Sequence, residues 1–63
     1  MSARYLDWHE AHAAAVDDAN RLRLDIAIRA VKEYGKFGYN VSIASRNDSD
    51  YARAEIVHPG DPR

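Results

Sequence analysis

The residues best suited to chemistry are two histidines near the start of the chain. His9 and His12 flank Glu10 in the segment His-Glu-Ala-His, and two histidines on one helical turn can share a metal ion. This spacing differs from the His-Glu-x-x-His of zinc peptidases, so that mechanism does not transfer. A third ligand would have to be His58 or a carboxylate brought in by folding. We therefore predict no metal and no cofactor, with both histidines in an interface or partly buried.

Other catalytic arrangements are equally weak. The chain has no cysteine nucleophile, and Gly35 and Gly38 bracket Lys36-Phe37 without forming a phosphate-binding loop. Ser42, Ser45 and Ser49 have no base at a telling spacing. A pocket for a small ligand needs roughly 300 Å³ or more, which one helix and one hairpin cannot readily enclose. The sequence predicts a protein that is not an enzyme and has no small-molecule substrate.

Composition limits the chain to one small domain. Its 63 residues include no cysteine, so disulfides cannot stabilise it, and small domains of this kind often need a partner subunit. No apolar run approaches the roughly 18 residues of a membrane span. These features predict a cytoplasmic protein that does not enter the membrane. The net charge is −1, yet residues 1–20 carry one base and four acids, and residues 21–36 carry five bases and two acids.

The first 34 residues contain no glycine or proline, and apolar positions keep one helical phase from Tyr5 to Tyr34. This pattern predicts one long amphipathic helix that is continuous, or bent or broken near residues 17–20. Asp7 is the better N-cap and Ser2 the alternative, while Gly35 is placed to end the helix. Two alternatives stay open, because Leu22–Ile28 alternates as a half-buried strand does and a helical hairpin could turn at residues 17–20.

After Gly35 the apolar period changes to two. Two alternating segments, 39–45 and 52–58, are separated by the turn formers of residues 47–50. An even-length loop pairs Ile43 with Ala54 and Val41 with Ile56 and keeps charge off the apolar face, with Tyr39 opposite His58. The predicted fold is α+β, with the order α-β-β: the long helix, then a two-stranded antiparallel hairpin, in a single domain over residues 1–58 with a flexible tail at 59–63.

The predicted helix is longer than its cover. About 30 helical residues span roughly 45 Å, whereas eight-residue strands reach only about 26 Å. The N-terminal half of the apolar stripe would stay exposed unless a second subunit lies along it. The sequence therefore predicts a homodimer, against the simpler reading of a monomer that folds back on itself. The residues predicted to carry self-association are Tyr5, Trp8, His9, His12 and Val16.

The function predicted from these features is a homodimeric adaptor or inhibitor of a larger host protein, of the kind that phages and mobile elements encode, by analogy of type only. An acidic patch and a polar hairpin face would contact that partner. The residues predicted to bind it are Asp7, Glu10, Asp17, Asp18, Arg46, Asp48, Asp50, Tyr51 and Arg53. The alternative is a nucleic-acid-binding regulator that uses the basic segment 21–36 and the hairpin face, although a pI near 6.2 argues against it.

Overall fold

A four-stranded antiparallel sheet with one helix on one of its faces makes up the fold in the computed structural model, which describes residues 2–33 and 35–60. The α+β class predicted from the sequence is confirmed. The chain order is β-α-β-β-β, which has two strands more than predicted. The elements are β1 (Ser2–Tyr5), α1 (Trp8–Leu22), β2 (Ile26–Glu33), β3 (Lys36–Ile43), a 3₁₀ turn (Tyr51–Arg53) and β4 (Glu55–Val57).

The central strands of the sheet are β3 and β2, in the order β1-β3-β2-β4. The β2–β3 hairpin pairs Ile26 with Ile43 at its open end and continues to residues 33 and 36 at its turn. The edge strands are much shorter. β1 covers only the Tyr39–Ser42 part of β3, and β4 covers β2 only from Ile26 to Ile28. The far end of the hairpin therefore extends beyond both edge strands.

The predicted helix over Tyr5–Tyr34 is wrong on both sides of α1. It begins at Trp8, ends at Leu22 and passes unbroken through residues 17–20, while Tyr34 lies outside the described residues. The strand alternative for Leu22–Ile28 is the better reading over Ile26–Ile28. β-Branched Ile26, Ile28 and Val31 suit a pleated surface, and pairing with β3 and β4 satisfies their backbone.

The two ends of α1 have different caps. The predicted N-cap Asp7 is confirmed, because its carboxylate accepts a 3.2 Å hydrogen bond from the backbone N–H of Glu10, and Ser2 lies in β1 instead. At the C-terminus Arg23 takes the left-handed conformation, with φ 58°, and its N–H bonds the Ala19 carbonyl at 2.8 Å. Gly35, predicted to end the helix, instead has φ 78° between β2 and β3.

Arg23→Gly should stabilise the fold. A left-handed conformation costs a non-glycine residue roughly 1 kcal/mol that glycine avoids, and this gain is partly offset by the entropy that glycine loses on folding. We expect the free energy of unfolding, measured by urea denaturation, to rise by about 0.5 kcal/mol. Arg21→Gly, inside the last helical turn, is the matched control and should lower it; a loss at both positions would contradict the assigned cap.

The predicted pairing of residues 39–45 with 52–58 is also wrong. Ile43 pairs with Ile26 rather than Ala54, and Val41 pairs with Ile28 rather than Ile56. Tyr39 lies between Ala30 and Tyr5, not opposite His58. The physical reason is that β2 offers β3 eight contiguous partners across a tight turn, whereas β4 is only three residues long.

The core between the helix and the sheet is thin. The helix contributes three alanines spaced four apart, which lets its backbone approach the sheet closely. The chain's own sheet packs against this alanine row. The buried residues of the core cluster are Ala11, Ala15, Val16, Ala19, Ile26, Ile28, Val41 and Val57, and those partly buried against it are Tyr5, Trp8 and Tyr39.

The end of the described chain packs beside the helix. His58 Nδ1 lies 2.8 Å from a carboxylate oxygen of Asp25, and the backbone N–H of Gly60 donates to the side-chain oxygen of Asn20 at 2.6 Å. Residues 61–63 of the predicted tail lie outside the described residues. These contacts place residues 58–60 near the turn between α1 and β2.

Candidate protein-interaction surface

The residues predicted to associate with a second copy lie in different environments in the structure. Val16 is 2% exposed within the single chain, so its side chain offers no surface to a partner. Tyr5, Trp8 and His12 do come together: Tyr5 pairs with Tyr39 across the strands, and the Trp8 ring lies 5.5 Å from Tyr39 and 5.9 Å from His12. His9 is exposed. The geometric reason for a second subunit along the helix is therefore wrong, because the sheet of the same chain covers the apolar stripe of the helix.

The histidines lie apart from the third candidate ligand. His12 stacks beside Trp8, whereas His58 contacts Asp25 at the opposite end of α1. Over residues 2–33 and 35–60, no three His, Cys, Asp or Glu side chains form a group that could hold a metal ion.

Most of the acids predicted to bind a partner already have partners in the chain. Asp7 caps the helix, and Asp18 forms a 2.9 Å ion pair with Arg21. Asp48 and Asp50 both contact Arg29. A carboxylate that holds an intramolecular partner must give it up before it can bind another, so these four positions are primarily structural.

The other predicted contact residues are distributed over the surface. Glu10 and Asp17 are exposed on the helix, Arg46 and Arg53 are exposed in the segment between β3 and β4, and Tyr51 is half-buried there. The structure does not bring these five residues together into one patch, so the predicted acidic surface is divided between the helix and the 44–54 segment.

A cluster centred on Arg29 fixes the segment between β3 and β4. The Nε of Arg29 lies 2.6 Å from Asp50 Oδ2, and one terminal nitrogen of its guanidinium lies 3.1 Å from both Asp50 and Asp48. The other terminal nitrogen donates to the hydroxyl of Ser42 at 3.0 Å. Asp48 also accepts from the backbone N–H of Ser45. We call this group the Arg29 cluster; it holds residues 44–54 against the sheet face opposite the helix.

The electrostatics of the cluster match its geometry. The hydrogen bond to Asp50 is the largest contribution to the raised pKa of Arg29; burial opposes it, and the charge of Asp50 and the contact with Asp48 add to it. The same hydrogen bond lowers the pKa of Asp50 below its usual range. Sequence reasoning assigned Asp48 and Asp50 to an external partner because it had no means of placing Arg29 beneath them.

Two large apolar side chains that the sequence analysis did not predict as binding residues are exposed at the end of the sheet away from the Arg29 cluster. Leu6 is 76% exposed and Phe37 is 71% exposed. Leu6 directly follows Tyr5, and Phe37 lies two residues before Tyr39 on the same face of β3, since side chains alternate along a strand. Phe37 therefore lies beside the partly buried Tyr39 ring, and Leu6 lies at the same end of the sheet, next in sequence to Tyr5. We call Tyr5, Leu6, Trp8, Phe37 and Tyr39 the aromatic end.

The charges around the aromatic end are mixed. The Lys32 ammonium lies 5.2 Å from the centre of the Phe37 ring, in range of a cation–π contact. Lys36 directly precedes Phe37 in the sequence. The acidic N-cap Asp7 adjoins Leu6. An apolar centre with both signs of charge at its rim is the usual composition of a protein–protein contact surface.

Comparison of the chain with protein-family models, with curated protein sequences and with solved structures found no match. None of the helices in the described part of the chain is long and apolar enough to cross a membrane.

Proposed function

We propose that this chain is a non-enzymatic protein-binding module that contacts a larger protein through the aromatic end, as an adaptor or inhibitor. The observation that carries the proposal is the exposure of Leu6 and Phe37, each above 70%, in a fold whose largest fully buried side chain is one isoleucine. Aromatic residues surrounded by apolar neighbours are the commonest energetic centres of protein interfaces. Covering these two side chains would contribute several kcal/mol, at roughly 1.5–3 kcal/mol each when fully buried.

The placement of the basic residues favours a protein over a nucleic acid. Arg21 is paired with Asp18, and Arg29 is held between two carboxylates. Among its described residues, the basic segment 21–36 is divided between the helix end and two faces of β2, so these bases form no continuous stripe. Nucleic-acid binding depends mainly on such a stripe. Lys32 and Lys36 beside Phe37 support the alternative, and binding of labelled single-stranded or duplex oligonucleotide in about 50 mM salt would favour it.

Polar substitution of the aromatic end should abolish partner binding without unfolding the protein. We expect Leu6→Ser combined with Phe37→Ser to remove at least 90% of the captured partner, on the order of a 1.4 kcal/mol or larger loss in binding free energy. The measurement is capture from a lysate of the source organism followed by quantitative mass spectrometry, with circular dichroism of each variant as the folding check.

Leu24→Ser is the matched control, because Leu24 is 44% exposed and follows the other end of the helix. It should retain the proteins that wild type captures. Equal capture by wild type and the double variant, or equal loss with Leu24→Ser, would refute the aromatic end as the binding surface.

Self-association is a separate part of the proposal and needs its own measurement. With Val16 and the alanine row covered, the surfaces proposed for a homodimer are the aromatic end and the sheet edges. Sedimentation equilibrium across a concentration series, for wild type and for the Leu6→Ser and Phe37→Ser double variant, separates these two surfaces: only a dimer through the aromatic end dissociates in the variant.

A further inference from the structure

One stretch of β2 has backbone groups that meet no neighbouring strand. Successive residues of a central strand direct their N–H and C=O groups alternately to one neighbour and to the other. The Asp25 carbonyl accepts from Ala44 N–H at 2.9 Å, so odd-numbered residues face β3 and even-numbered residues face β4. β4 pairs only with Ile26–Ile28. Ala30 and Lys32 therefore present two N–H and two C=O groups at an edge that no strand of the described chain covers.

This open edge runs into a notch beside the 3₁₀ turn. The notch has a volume of about 250 Å³ and is lined by Arg29, Ala30, Asp50, Arg53 and Ala54. The chain leaves the sheet there, because Arg53 and Ala54 donate their N–H groups to the Asp50 carbonyl instead of to β2. A strand added along the open edge must stop at this notch, since Glu55 already occupies the place beside Ile28.

The charge inside the notch is positive. Arg29 and Arg53 line it together with the carboxylate of Asp50. The charge of Arg29 is already shared between Asp50 and Asp48, at 2.6 and 3.1 Å, and Arg53 attracts Asp50 from beyond ion-pair distance, so the charge open to a ligand is that of Arg53. Arg53 is exposed, and no ion pair within 4 Å occupies its side chain in the described part of the molecule. A carboxylate in the notch would therefore meet an available guanidinium.

We propose that the open edge of β2 and the adjoining notch bind the extended C-terminal segment of a protein, with its backbone on Ala30 and Lys32 and its terminal carboxylate on Arg53. A peptide antiparallel to β2 runs from Lys32 toward Ala30, so its C-terminus is the end that arrives at the notch. Strand addition supplies affinity through main-chain hydrogen bonds, and the captured carboxylate fixes the register. The notch is below the roughly 300 Å³ of a small-molecule site and accommodates one terminal residue.

A terminal carboxylate fits this site better than a second copy of the chain. A β2 strand from another molecule would bring a hairpin turn to the notch, not a chain end, and would leave Arg53 without an anion. This site adjoins the aromatic end at Lys32, whose ammonium lies 5.2 Å from the centre of the Phe37 ring, but it uses the backbone of β2 and Arg53 rather than the apolar side chains.

The test is an array of hexapeptides with free C-terminal carboxylates, screened with labelled full-length protein, followed by calorimetric titration of the best binders and their C-terminal amides. We expect amidation to weaken binding about tenfold or more, because it removes the charge-assisted hydrogen bond to Arg53. Arg53→Ala should weaken it by a similar factor. In hydrogen exchange, the amides of Ala30 and Lys32 should gain protection on binding.

Arg46→Ala is the matched control: Arg46 is an exposed arginine in the same segment but does not line the notch, so binding should change less than twofold by the general behaviour of rim charges. No binder in the array, equal binding of acid and amide, or equal loss with Arg46→Ala would overturn the proposal. So would a dimer of the free protein that protects Ala30 and Lys32. If Arg53→Ala does not fold, the acid–amide comparison on wild type decides.

Leu6→Ser should leave peptide binding intact, and Arg53→Ala should leave capture through the aromatic end intact. The two sites therefore fail or succeed independently.

Discussion

Ile26→Ala should cost this small domain much of its stability, about 2–5 kcal/mol in the free energy of unfolding. Ile26 is 1% exposed and is the largest fully buried side chain. It lies where β2 meets both β3 and β4 and joins the cluster that faces the helix. Truncation removes three carbon atoms from a core whose helix side is mostly alanine, and alanines have no length with which to refill the cavity.

The comparison that isolates burial is Ile43→Ala. Ile43 is the cross-strand partner of Ile26, but it is 44% exposed, so its truncation should cost about 1 kcal/mol or less. Urea denaturation followed by circular dichroism measures both variants. Equal losses at the two positions would mean that Ile26 is not the centre of the core, and would place the helix differently on the sheet.

The helix start could be predicted from the sequence, and its end could not. Asp7 followed by Glu10 is a local signal, and the cap depends only on neighbouring residues. The end depends on Arg23 adopting a conformation that glycine usually supplies, so no local signal marks it. Beyond it, Ile26 and Ile28 fit both a helical stripe and an alternating strand. Only tertiary pairing with β3 and β4, which is non-local, separates the two readings.

The aromatic end was only partly accessible to sequence reasoning for a similar reason. The sequence predicts Tyr5 and Trp8 as residues of a self-association surface. Their structural neighbour Tyr39 comes from β3, more than 30 positions later, and the exposure of Leu6 and Phe37 becomes visible only once β1 pairs with β3. For the charged residues the sequence lacks the opposite information. Asp48 and Asp50 have no partner in the local sequence, and only the fold places Arg29 of β2 beside them.

Arg29→Met should release the 44–54 segment while leaving the helix and the β2–β3 hairpin folded. The substitution keeps most of the apolar stem and removes every donor of the Arg29 cluster. It leaves Asp48 and Asp50 as neighbouring carboxylates without the cation that bridges them, so they repel each other. Amides of residues 44–54 should exchange about tenfold faster or more at neutral pH, since local opening follows the loss of the contacts that close the segment.

The effect should depend on pH in a defined direction. Arg29 keeps its charge at any working pH, because its pKa is raised. The folded pKa of Asp50 is lowered, so its contribution is fully present above its unfolded pKa of about 3.9 and is lost as pH falls through the lower folded value. The difference in exchange between wild type and Arg29→Met should therefore be constant from pH 7 to about 5 and should shrink below about pH 4.

The surface ion pair between Arg21 and Asp18 provides the control for this prediction. Its arginine side chain is 59% exposed, against 24% for Arg29, so Arg21→Met should change exchange only slightly, as exposed pairs contribute little. Hydrogen exchange with peptide-level mass spectrometry resolves the 44–54 segment from the helix. Unchanged exchange of that segment in Arg29→Met would show that its own turns, not the cluster, hold it in place. If the Arg29 cluster holds this segment, it also shapes the notch, because Asp50 and Arg53 belong to the segment. Arg29→Met should then lose peptide binding, as Arg53→Ala does.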